Sequence, residues 1–260
     1  MTIPSTAETT GAGTVAVDVS DGIATIRFAH PKGNSLPGTL LRRLAAEIDA
    51  IGLDERARVV VLRSEGLGPF CAGASFEELV SIDDQATGHE FFMGFARLIL
   101  SMKRCPKLIV ARVHGKAVGG GVGVAAAADY SLASSFASIK LSELAVGIGP
   151  FVVGPAIERR IGTSAFSALA LDADWRDAAW CERHGLYTRI CDNTPALDQV
   201  LGTLAHKLAT FNPDAISQLK AALWENTPSW DALLEERAAM SGTLVLSEFT
   251  RSALAAFEKK

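Results

Sequence analysis

Two short aliphatic runs, Arg58–Arg63 (RVVVLR) and Lys107–Val113 (KLIVARV), are each followed by a glycine-bearing turn and then by a helical pattern. Runs this short and this apolar read as strands buried on both faces, and parallel sheets with covering helices contain such strands. The first turn is Phe70-Cys71-Ala72-Gly73-Ala74-Ser75-Phe76. The second is His114-Gly115-Lys116-Ala117-Val118-Gly119-Gly120-Gly121-Val122-Gly123. A strand-to-helix turn aims free backbone N–H groups at whatever lies above it. Two such turns side by side can hold one oxyanion between two donors, each typically worth about 10²–10³ in rate.

The rest of the chain fits an α/β pattern with a helical end. Thr14–Ser20 and Gly22–Phe28 alternate apolar and polar residues around Asp21-Gly22, a hairpin signal. Leu40, Leu41, Leu44, Ile48 and Ile51 recur at helical spacing within Pro37–Ile51. Phe76–Val80 reads as a short helix and His89–Met102 as a longer one. Tyr130–Ala133 and Ser138–Leu141 read as short strands. Phe151–Ile161, Thr163–Leu171 and Trp175–His184 read as helices, as do Pro195–Thr210, Asn212–Asn226, Trp230–Met240 and Val245–Lys259. The expected organisation is a mobile tail over residues 1–13, an α/β core over 14–194 and a helical region over 195–260.

Composition removes several classes of function. At 260 residues, 48% hydrophobic and 21% charged, the chain can bury a core without staples and is not disordered. A formal charge of −4 does not suit a nucleic-acid face. The richest apolar run, Val113–Ala128, is interrupted by Lys116 and five glycines, so it is not a membrane span. Cys71, Cys105, Cys181 and Cys191 lack C-x-x-C spacing, and His30, His89, His184 and His206 lack ligand spacing, so neither a disulfide framework nor a metal is expected. No basic segment precedes an apolar one at the start, which leads us to expect a cytoplasmic protein.

Glu143 stands alone among apolar and small residues in Lys140-Leu141-Ser142-Glu143-Leu144-Ala145-Val146-Gly147-Ile148-Gly149-Pro150-Phe151. A carboxylate so placed is poorly solvated, which raises its pKa toward the range useful for acid–base work. Pairing with an arginine, or capping a turn, would explain it equally well.

The Phe-Cys-Ala-Gly-Ala turn, the Gly-Lys-Ala-Val-Gly-Gly-Gly turn about 45 residues later and the following Glu143 together resemble the crotonase superfamily of enoyl-CoA hydratases and isomerases. The resemblance spans nearly the whole chain. It implies an α/β, crotonase-like spiral of ββα units with a C-terminal helical subdomain. It implies that residues 195–260 build a homotrimer or a dimer of trimers. It implies acyl-CoA enolate chemistry, with Ala74 and Gly120 as oxyanion donors and Glu143 as general acid and base. Coenzyme A, carried by the substrate and so not a separate cofactor, would cross His30–Leu36 and residues 72–77. Lys32, Ala72, Ser75, Phe76, Gly119, Gly121, Pro150 and Phe151 are the implied binding residues. Phe257 and the terminal lysines match the family's tail. Hydratases of this family usually carry a second glutamate three residues after the oxyanion glycine, and Gly123 stands there instead. One carboxylate suffices for moving a double bond, whereas hydration usually engages two, so the residues lean toward isomerisation and leave hydration open through Glu78, His114 or Ser75.

Other readings carry less. Gly121-x-Gly123-x-x-Ala126 loosely matches a dinucleotide fingerprint, but more than 100 residues precede it. Ser75 suggests a serine hydrolase of the same fold, yet no His–Asp partner pattern accompanies it. A non-catalytic binding protein on this scaffold is the third class. Cys71 reads as packing rather than as a nucleophile. Glu77-Glu78 reads as a solvated helix face and Asp83-Asp84 as a capping turn. Phe91, Phe92, Phe95 and Phe151 are the aromatic residues that would line an acyl pocket.

Overall fold

The computed structural model describes residues 11 and 13–257, and of Phe257 the backbone only. Most of the tail expected over 1–13, and the Phe257 side chain and terminal lysines matched to the family's tail, fall outside the described residues. The chain opens with the hairpin of β1 (Thr14–Ser20) and β2 (Ile23–Ala29). Asp21 (φ +51°) and Gly22 (φ +78°) both take positive φ, as a two-residue turn matched to strand twist requires. Helix α1 (Gly38–Leu53) returns the chain to β3 (Val59–Ser64), which pairs parallel with β2. After the first glycine turn come the five-residue α2 (Phe76–Val80) and the long α3 (Gln85–Arg104). Asp84 caps α3 by accepting from Thr87 N–H at 2.9 Å, as the sequence suggests.

Strand β4 (Leu108–Val113) pairs parallel with β3 in register, Arg63 opposite Arg112. It leads through β5 (Ala117–Val118) into α4 (Gly120–Ala127), then β6 (Tyr130–Ser134) and β7 (Ser138–Lys140). Helix α5 (Gly154–Asp172) is broken at Gly162 (φ +75°, ψ 160°), where the sequence places a boundary between two helices. The segment Trp175–His184 is not one helix. Arg176–Asp177 is a two-residue strand, β8, paired antiparallel with β7, and Asp177 caps the short α6 (Ala178–Arg183) by accepting from Trp180 N–H at 2.7 Å. A last strand, β9 (Arg189–Cys191), precedes α7 (Thr194–Ala209), α8 (Pro213–Leu223), α9 (Trp230–Leu244) and α10 (Glu248–Phe257). β5, β8 and β9 have two or three residues each, too few to show a period.

The strands form two sheets. The larger has the order β1-β2-β3-β4-β6-β9, parallel after its first hairpin, and the smaller has the order β5-β7-β8. Isolated parallel bridges join Leu36 to Ala74 and Cys71 to Ala117, the latter residue belonging to β5, which pairs parallel with β7. Each turn of the chain thus places a long strand in one layer, a short extended piece in the next and a helix outside. One face of the large sheet carries the main core, with Ile26, Phe28, Val60, Leu62, Ile109 and Ala111 packed under α1, α3 and α4. The other face, through Val59, Val61, Val110 and Leu132, is covered by Leu197, Leu201 and Ala205 of α7. α7 therefore belongs to the body of the fold although it lies in the helical C-terminal region. Among the described residues no helix is long and apolar enough to cross a membrane.

The later helices are fastened by a buried ion pair. Lys220 of α8 and Asp129, with side chains 2% and 4% exposed, meet at 2.9 Å. Lys220 Nζ also donates to the carbonyls of Met102 and Lys107, and Asp129 accepts from Trp224 Nε1 at 3.0 Å and from Ile109 N–H at 2.8 Å. Breaking such a pair from one side leaves a buried charge uncompensated. Asp129→Ala should cost about 3–5 kcal/mol in a denaturant titration, whereas Asp129→Leu combined with Lys220→Met should cost far less.

Candidate active site

The first glycine turn is stitched to the second by backbone pairing. Val118 N–H donates to Cys71 O at 2.9 Å, and Cys71 N–H donates to Lys116 O at 3.2 Å. On the outer side, Leu36 N–H donates to Gly73 O at 2.8 Å and Ala72 N–H to Gly33 O at 3.0 Å. The loop preceding α1 therefore lies beside the first turn. On the inner side, Gly119 N–H donates to Lys140 O at 2.9 Å. Among the described residues, the N–H groups of Ala74 and Gly120 have no protein acceptor. Gly120 is the first residue of α4, where an unsatisfied N–H is inherent to the helix.

Two glycines make this approach possible. Gly73 has φ +92°, and a Cβ there would lie 2.9 Å from Val118 O and 3.7 Å from Gly120 N. Gly119 has φ +51°, and a Cβ there would lie 3.0 Å from Glu143 Oε1. Only glycine tolerates both the left-handed backbone and the absent space. The measurement at Gly119 also brings the Glu143 carboxyl against the second turn.

A cavity of about 240 Å³ opens beside these groups. Ala72, Gly73, Ala74 and Phe76 line it from the first turn, and Val118, Gly119 and Gly120 from the second. Glu143, Val146, Pro150, Phe151 and Val153 line it from the third segment, and Phe91, Phe92 and Phe95 from α3. Phe91 and Phe92 meet edge to face with centroids 5.1 Å apart. Leu79, Ser142, Ser241 and Leu254 also line it; sequence reasoning singled out neither Ser241 nor Leu254, which come from α9 and α10 with no local motif.

Glu143 is the only ionisable residue of this lining. The residue as a whole is half-buried, but its carboxyl Oε2 is shielded and has no hydrogen-bond partner. Burial raises its pKa from 4.5 to about 7, and the N–H groups of Glu143 and Ser142 only partly oppose that rise. Among the described residues it pairs with no arginine, and although it stands at the start of the turn Leu144–Val146 its side chain makes no capping hydrogen bond there. Its loop is held from outside by α10, since a Cβ at Gly147 would lie 2.6 Å from both Phe249 and the Thr250 hydroxyl.

The remaining sequence candidates lie elsewhere. Gly121 faces Cys71, where a Cβ would lie 2.6 Å from the Cys71 carbonyl, and it does not line the cavity. Ser75 is the N-cap of α2, accepting from Glu78 N–H at 3.3 Å. Glu78 is not simply solvated, because its Oε2 accepts from Gly38 N–H at 2.7 Å at the start of α1. Lys32 lies on the loop beside the first turn and pairs with Glu77 at the surface. Cys71 is buried, and burial pushes its thiol up to about 12, so it packs rather than attacks. His114 is buried, and desolvation with Arg112 and Arg63 nearby lowers its pKa. It lies two residues beyond Arg112, which pairs with Asp198 of α7, so it faces away from the cavity.

The place of a second carboxylate is closed. A Cβ at Gly123 would lie 2.6 Å from both Cβ and Cγ1 of Val153. Two free N–H donors and one raised carboxyl in a mostly apolar wall can polarise a carbonyl and move a proton beside it.

A family profile described as Enoyl-CoA hydratase/isomerase matches residues 18–258. A probable enoyl-CoA hydratase of Bacillus subtilis is 25% identical over 248 residues, covering 95% of this chain and 96% of that one. The human mitochondrial methylglutaconyl-CoA hydratase is 29% identical over 194 residues, covering 73% and 57%. The crystal structure of an enoyl-CoA hydratase from Bacillus halodurans superposes with a TM-score of 0.87 at 22% identity, over 93% of this chain and 99% of that one. These similarities establish a crotonase fold.

The raised Glu143 pKa has a measurable sign. Between pH 4.5 and about 7 the native chain keeps a proton that the unfolded chain has lost, so stability falls as pH rises through that window. Glu143→Gln should match the native protein near pH 4 and exceed it in denaturant resistance above about pH 7. Equal pH profiles of the two proteins would contradict the burial of this carboxyl.

Proposed function

The chain belongs to the enoyl-CoA hydratase/isomerase family, and on that footing we propose that it forms an enolate from an acyl-CoA thioester and moves a carbon–carbon double bond with Glu143 as its single acid and base. The observation that carries this reading is the buried Glu143 carboxyl, one oxygen unpartnered, in a cavity also lined by two residues with free N–H groups, with the space at Gly123 filled by Val153.

The thioester oxygen of a 3-enoyl-CoA sits between Ala74 N–H and Gly120 N–H. The ionised Glu143 takes a proton from C2, the C–H electrons form the enolate, and the charge gathers on the oxygen that the two donors face. Glu143 then returns the proton at C4 as the carbonyl reforms, leaving the double bond between C2 and C3. The proton stays on one carboxyl on one face, so no water enters the step. A carboxyl near pKa 7 suits both halves, as it is basic enough to accept the proton and acidic enough to release it. No cofactor beyond the coenzyme A of the substrate is involved, and Lys32, Ala72 and Phe76 are the residues assigned to its binding. The exposed Leu219, Leu223 and Phe249 on the C-terminal helices support assembly into a trimer or a dimer of trimers.

Hydration is the second reading, because the relatives above bear hydratase names. It requires a polar group other than a second glutamate to hold water, and Ser142 and Ser241 are the hydroxyls in the wall.

Purified protein given 2-enoyl-CoA and 3-enoyl-CoA of equal chain length should convert the 3-enoyl thioester without mass gain. Glu143→Gln should lose about a hundredfold or more in turnover while still binding coenzyme A. A water adduct from the 2-enoyl thioester would instead establish hydration, and a fully active Glu143→Gln would remove the mechanism.

A further inference from the structure

The cavity beside Glu143 has a neighbour that shares part of its wall. A second cavity of about 250 Å³ lies between the α2–α3 connection and α10, bounded by Val80, Asp83 and Arg251 among others. Leu79 and Leu254 line both. Resting on the function proposed above, we infer that these two leucines are a partition that a long acyl tail passes between, so that the substrates are thioesters of linear, uncharged acyl chains too long for the inner cavity alone.

The partition is chemically suited to this. Both side chains are aliphatic and offer no polar anchor, so moving them breaks only dispersion contacts, and a methylene chain replaces those contacts in kind. The two sides differ in firmness. Leu254 is 4% exposed on α10, the helix packed against the Glu143 loop. Leu79 sits on α2, a five-residue helix with no buried residue, held at its foot by the Ser75 cap and the Glu78 carboxylate on Gly38 N–H. An element with so few buried contacts opens locally at low cost.

Charge narrows the substrate class further. The inner wall holds no lysine, arginine or histidine, so an acyl group ending there in a carboxylate would be stranded without a partner. The outer cavity carries one residue of each sign, Asp83 and Arg251, and so favours neither charge. Each methylene buried on the way is worth up to about fourfold in affinity.

The test measures dissociation constants by calorimetry for free coenzyme A and for butanoyl-, octanoyl- and dodecanoyl-CoA, saturated thioesters that bind without a double bond to turn over. Native protein should tighten from butanoyl to octanoyl and again to dodecanoyl. Leu254→Trp should reverse the last step, leaving dodecanoyl-CoA about tenfold or more weaker than octanoyl-CoA. Leu79→Trp, at a half-buried site on the movable side, should do the same without disturbing α10. Native protein that rejects dodecanoyl-CoA relative to octanoyl-CoA overturns the inference, as do two tryptophan variants that keep the native ratio. Failure of every thioester to bind would be a different result, since it removes the acyl-CoA reading itself.

Discussion

The backbone pairing of Cys71 with Ala117 is the contact on which the rest of the site depends. It takes up the Cys71 N–H and carbonyl and the Val118 N–H, and it sets the first turn beside the second, where the N–H groups of Ala74 and Gly120 have no acceptor among the described residues. In water such donors would be solvated at no gain. Donors that a fold already holds in place need no reorganisation on meeting a partner. The pairing tolerates no side chain at Gly73, where Val118 O stands 2.9 Å from a Cβ, so the chemistry of the site is written first in backbone geometry.

The protein buries charge in two opposed ways. Lys220 and Asp129 are enclosed together with four further hydrogen bonds, and their role is to seat α8 and Trp224 against the start of β4. Glu143 is enclosed with no cation and an unpartnered oxygen. The first arrangement neutralises charge, while the second makes ionisation expensive enough to matter at neutral pH. The α10 helix serves the second arrangement, because it presses on the Glu143 loop at Gly147 and contributes Leu254 to the cavity wall.

Much of this was legible in the sequence, and the parts that were not share a physical reason. Strong periodicity marked α1, α3 and α7, and the buried runs marked β3 and β4, because each element is long enough to display its environment. β5, β8 and β9 are held by neighbours rather than by their own pattern, and the helix expected over Trp175–His184 yielded its first residues to pairing with β7. Glu143 could be singled out because its apolar neighbours in sequence are also its neighbours in space. Leu79, Ser241 and Leu254 could not, as they meet only after distant helices pack. The role of Glu78 was hidden likewise, for its partner Gly38 lies 40 residues away. Gly123 was noticed as a departure from the family, but its cause, the Val153 side chain, appears only in three dimensions.

That packing bears on how a site of this kind can diverge. Position 123 and position 153 compete for one volume, so a longer side chain at the first is tolerated only after the second has shrunk. Shrinking Val153 alone leaves a void, and enlarging Gly123 alone forces a clash, so each single step is harmful and the pair together is not. The two positions are therefore epistatic, and the order in which they change decides whether any lineage can cross between one carboxylate and two.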